Sequence, residues 1–64
     1  MWTVIQIAPN MIIAEQIKSL LMTEGVMVNL RTVGIPHLGD SGPVEVMVPE
    51  SEAEDALEIL NSQI

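Results

Sequence analysis

The chain has no Cys, no Phe and no Tyr, a single Trp, a single His and only two basic residues, Lys18 and Arg31. Each shortage excludes something. Without Cys there is no disulfide, no thiolate ligand and no thiol nucleophile, and one His leaves too few soft donors for zinc. A domain of 64 residues buries only about 60% of the surface its unfolded chain exposes. Small domains compensate with disulfides, metals or self-association, and this composition leaves the last. Two cations against nine acidic residues give a net charge of −7, which repels phosphate backbones and anionic lipid. Neither nucleic acid nor membrane partners are expected. No apolar run approaches the roughly 18 residues of a membrane helix. Met1-Trp2-Thr3-Val4 lacks the basic region and cleavage site of a secretory leader. The expectation is a cytoplasmic protein.

What is present is apolar side chain, 48% of residues, enough to offset chain entropy despite the charge. We read a single domain over residues 1–64. From Trp2 to Ala8 the residues alternate, Thr3, Ile5 and Ile7 on one side and Trp2, Val4, Gln6 and Ala8 on the other, the period of a strand. Pro9-Asn10 breaks it, and Asn10 is placed to cap a helix over about residues 11 to 24. Its apolar positions Ile13, Ile17, Leu20 and Leu21 recur at helical spacing. Gly25 stands where a left-handed cap is wanted. Val26, Val28 and Leu30 begin a second alternation, and Val44, Val46 and Val48 a third. The stretch Gly34 to Gly42 between them is too short for a crossover helix, so these strands are antiparallel neighbours. After Pro49, Ser51 and Glu54 form a capping-box pattern ahead of Ala53, Ala56, Leu57 and Leu60.

The order is βαββα. Right-handed crossovers place the third strand in the middle. The predicted fold is therefore α+β and ferredoxin-like, a three-stranded antiparallel sheet of order 1-3-2 with two helices on one face and no fourth strand. Two surfaces are then uncovered. The outer edge of the first strand has no charge or mid-strand Pro to protect it. The sheet face away from the helices carries Trp2, Val4, Met27, Val33 and Met47 among Gln6, Asn29, Arg31 and Glu45, an unusually apolar mixture for a solvated face. Trp2, Val4, Gln6, Met27, Val33 and Met47 are accordingly the candidate interface, and a homo-oligomer is expected. Pairing Leu30 with Val46 sets Arg31 opposite Glu45, which gives the only strand cation a partner.

Chemistry has little to work with. His37, Asp40 and Ser41 share one loop, but nine residues on a domain this small enclose no pocket in which a pKa could be tuned. His37, Leu38 and Asp40 are kept as candidate loop contacts to a partner. Gly34, Gly39 and Gly42 lack the spacing of a phosphate cradle, and Glu50 to Asp55 lacks that of a calcium loop. No catalytic residue, metal site or cofactor is predicted.

The opening strand running into Ala8-Pro9-Asn10 is followed by Ala14-Glu15, Ile17-Lys18 and Leu20-Leu21, ending at Glu24-Gly25. Val46, Val48, Pro49 and Glu50 then lead to Ala53, Ala56, Ile59 and Leu60. In order and spacing these resemble the small prokaryotic signal-transducing protein family, grouped by similarity with PII-like nitrogen regulators, over nearly the whole chain. The resemblance implies a ferredoxin-like βαββα fold and a regulatory role, and brings no catalytic residues. PII regulators are trimers that bind nucleotide with basic residues and touch targets through a long loop. The corresponding loop here is short and the cations number two. The expected function is a non-enzymatic regulatory or protein-interaction module that self-associates, with a PII-like small-molecule sensor as the alternative.

Overall fold

The computed structural model describes residues 1–33 and 42–62. It comprises β1 (Trp2–Ala8), α1 (Met11–Thr23), β2 (Asn29–Thr32), β3 (Val44–Pro49) and α2 (Ala53–Ser62), the last entered through a 3₁₀ turn at Glu50–Glu52. The strands form one antiparallel sheet of order β1-β3-β2. The α+β class, the βαββα order and the central third strand are as the sequence predicts.

Local chemistry fixes both ends of α1. Asn10 is extended and its Oδ1 accepts from the Ile13 N–H at 2.9 Å, satisfying one of the helix's orphan donors. At the other end Gly25 takes φ +88°. Its N–H donates to the Met22 carbonyl and the Val26 N–H donates to Leu21, both at 3.0 Å. This is a Schellman closure, sealed by contact between two buried residues, Leu21 and Val26.

The closure shortens the second strand. Its alternation begins at Val26, yet pairing begins only at Asn29. Val26 has given its amide to the helix and its side chain to the core, so Met27 and Val28 are spent in carrying the chain to the sheet. From there the register is the expected one, Leu30 opposite Val46 and Arg31 opposite Glu45. The start of α2 also differs from its sequence signature. Ser51 lies inside the 3₁₀ turn instead of at the N-cap of α2, and the turn closes through the Ala53 N–H donating to the Glu50 carbonyl, without a side-chain cap. Pro49, with φ near −61°, is already set for that tight turn.

Alternation along β3 divides the molecule. Val44, Val46 and Val48 are fully buried or nearly so, and α1 and α2 both lie over them. Each helix approaches through an alanine, Ala14 and Ala56, with no exposed surface. Ile13, Ile17, Ile59 and Leu60 pack around this line. Leu57, assigned to the core by spacing, is 43% exposed because its neighbour Ala56 occupies the line of contact.

The first strand departs from simple alternation. Trp2, Thr3 and Val4 pair with Pro49, Val48 and Met47, but Gln6, Ile7 and Ala8 pair with Val46, Glu45 and Val44, so Ile5 is an extra residue. Such a bulge reverses which residues face which side. Ala8 becomes fully buried, Ile7 moves to the outer face and is 59% exposed, and Gln6 joins the helix-side row opposite Val46. The expected placing of Gln6 on the outer face and Ile7 inward is thereby corrected. A register slip of one residue in the strand's middle is the cause.

Gly25→Ala tests the α1 closure. No neighbouring atom lies within 4 Å of the added Cβ, so the cost is backbone strain alone, about 1–2 kcal/mol. For a domain of this size, about 1 kcal/mol lowers Tm by about 4–8 °C. Thermal unfolding followed by circular dichroism should show at least that drop. No drop would mean the turn has another conformation.

Candidate interaction surface

Strand pairing lays out the outer sheet face as rows. Trp2 and Pro49 form one, and Val4, Met47 and Asn29 the next. Ile7, Glu45 and Arg31 form the third, and the Val33 N–H donating to the Pro43 carbonyl at 3.0 Å extends the grid by a fourth. The Glu50 N–H donates to the Met1 carbonyl at 2.8 Å. Because bonded and non-bonded pairs alternate, Trp2–Pro49 and Val4–Met47 fall at non-bonded positions, where side chains stand closest. The missing N–H of Pro49 therefore breaks no bond to β1, and β2 starts short of it.

Exposure follows this grid. Trp2 is 40% exposed, Val4 39%, Ile7 59%, Met27 61% and Val33 39%, while Met47 in the central column is half-buried. Of the six candidate interface residues, Trp2, Val4 and Met47 lie on this surface by strand pairing and Val33 continues it through its bond to Pro43, while Met27 is exposed ahead of β2 and pairs with no described strand. Gln6 is exposed but lies in the other row, and Ile7 replaces it. Sequence alternation missed Ile7 because nothing in a run of apolar β-formers marks which one is the extra residue. The candidate loop contacts His37, Leu38 and Asp40 lie outside the described residues.

One ion pair interrupts the apolar surface. Arg31 Nε donates to Glu45 Oε1 at 2.7 Å, and a terminal guanidinium nitrogen meets the same oxygen. The Arg31 side chain is 61% exposed, so the pair contributes no more than about 1 kcal/mol. Its larger effect is to cancel the only two charges on the described part of this face.

The remaining acidity is elsewhere. Among the described residues, Glu15, Glu24, Glu50, Glu52, Glu54, Asp55 and Glu58 all lie on the helices, the α1 cap or the 3₁₀ turn. Glu24, Glu52, Asp55 and Glu58 line an open groove of about 410 Å³ between the end of α1 and α2. Its carboxylates oppose any phosphate-bearing ligand. Among the described residues no group of three or more His, Cys, Asp or Glu could hold a metal ion. No helix there is long and apolar enough to cross a membrane.

The crowding of like charge makes a stabilising substitution available. Glu54 and Glu58 are one helical turn apart and both exposed. Glu58→Lys replaces a repulsive pair with an attractive one of the favoured polarity, together worth about 0.4–1 kcal/mol. Tm should rise in low salt, and the gain should shrink at about 1 M salt, where the Debye length is about 3 Å. A gain indifferent to salt would place its origin outside electrostatics. Comparison with protein-family models, with curated proteins and with solved structures finds no match to this chain.

Proposed function

We propose that this chain is a non-enzymatic regulatory or protein-interaction module of the cytoplasm that self-associates through the outer face of its sheet. The observation that carries the reading is the set of apolar residues Trp2, Val4, Ile7 and Met47 in adjacent rows of the outer sheet face, whose described charges cancel, while the other described carboxylates lie on the helices and the turns beside them. Exposed apolar patches of this kind on small soluble domains mark interaction sites. A thin core adds a thermodynamic reason, since binding of the native state alone stabilises it by mass action. The regulatory role, and membership of the prokaryotic signal-transducing family, rest on the resemblance of the sequence. The sensor alternative gains nothing from the groove, whose lining is acidic.

The test is solution mass by light scattering coupled to size exclusion, across a concentration series. A multiple of the monomer mass is expected. Trp2 is the only Trp, so intrinsic fluorescence reports this surface alone, and its emission should shift to the blue as the oligomer forms. A monomer at high micromolar concentration, with unchanged emission, would remove the proposal.

A further inference from the structure

We infer that the second copy stacks face to face on the outer sheet, about a two-fold axis beside the Val4–Met47 row, and does not pair along the free edge of β1. This rests on the self-association reading above and adds its geometry. The two modes make opposite demands on β1. Edge pairing needs an unbroken row of backbone donors and acceptors, and bulges are a common means of spoiling one. Ile5 interrupts the seven-residue strand at its midpoint, leaving three residues in one phase and three in the other. Face stacking needs apolar side chains in adjacent rows. The same insertion turns Ile7 outward and so completes three successive apolar rows on the β1 side.

Charge favours the same arrangement. Two copies at −7 each repel unless their acidic surfaces stay apart. Stacking the sheets puts both helical layers outside, with seven carboxylates per copy facing solvent, and leaves a neutral face between them. The Arg31–Glu45 pair lies one row from that axis, with Arg31 on the edge strand β2, so its two charges enter the interface already paired, which limits the desolvation cost. The isologous axis requires the same patch on both copies, and a patch whose centre is apolar meets itself without mismatch.

The absence of Cys makes each single-Cys variant a reporter of one position. In stacked sheets about 10 Å apart, side chains beside the axis point at each other. In an edge dimer the two β3 strands are three strand spacings apart, about 14 Å, with side chains pointing the same way. A short bimane bis-alkylator should therefore bridge Met47→Cys, and equally Asn29→Cys, in the same row on β2, if the first variant folds poorly, but not Gln6→Cys. Ile7→Glu should weaken the dimer at least tenfold by dilution light scattering, and Gln6→Glu less than twofold. A dimer that bridges through Gln6→Cys alone, or that is weakened equally by both charge substitutions, overturns stacking while self-association stands. A monomeric wild-type chain overturns both.

Discussion

Everything in this fold hangs on β3, among the described strands the one paired on both sides. Its valines at 44, 46 and 48 are the floor on which both helices rest, and its residues 45, 47 and 49 are the middle column of the opposite face. Core and candidate surface are thus two sides of one six-residue segment. A slip of one residue would exchange them. Such a slip would carry the Glu45 carboxylate under the helices, at a cost of several kcal/mol. The stability of a chain this short is only about 3–10 kcal/mol. The Arg31–Glu45 pair contributes little as a salt bridge and much as a marker of register, because only one register leaves that carboxylate both solvated and paired.

The core over β3 is built for close approach more than for mass. Ala8, Ala14 and Ala56 are fully buried, and their small side chains let two helices settle directly on the valines. The consequence is a short inventory of large buried groups, Leu21 and three valines, each contributing about 1.5–3 kcal/mol. The two helix caps, Asn10 and Gly25, and the flanking Ile13, Ile17, Ile59 and Leu60 matter in proportion. A surface that can bury more apolar area in a partner therefore answers a shortage inside the domain.

The parts of this architecture set by local chemistry are the parts legible in the sequence. Period-two valines, an Asn at a helix start, a Gly at its end and a loop too short for a crossover each have one physical reading, and strand order follows from them. Pairing Arg31 with Glu45 was readable because it follows from register and charge together. What could not be read depends on competition between neighbours. Val26 carries both a strand pattern and a helix-closing position, and the helix wins because its amide has an acceptor there. Ser51 and Glu54 match a capping box, but Pro49 brings the chain in at an angle suited to a 3₁₀ turn. The bulge at Ile5 is the costliest omission, since every residue of Trp2–Ala8 is compatible with either phase. Only burial of the small Ala8 in place of Ile7 decides it, and that depends on the space under α2 and α1, which no local pattern reports.

That space also explains why the outer face became apolar. With Ala14 and Ala56 drawing the helices down onto β3, a strand continuing in its first phase would place Ile7 opposite Val44 in the fully buried position that Ala8 holds, and overpacking a core position costs about 1–3 kcal/mol. Inserting Ile5 relieves the crowding and sends the larger side chain outward. The exposed Ile7 is then a by-product of close helix packing, and it falls in line with Val4 and Trp2, on the side of the sheet that carries no net charge. Glu50, Glu52, Glu54 and Asp55 meanwhile gather at the start of α2, where the helix dipole favours them, so these four have a structural reason to lie there. Packing and electrostatics thereby leave most of the described charge on the helical layer, which also exposes Ile12, Met22 and Leu57, and leave the described charges of the opposite face balanced, a division of surface that suits a domain meeting a copy of itself.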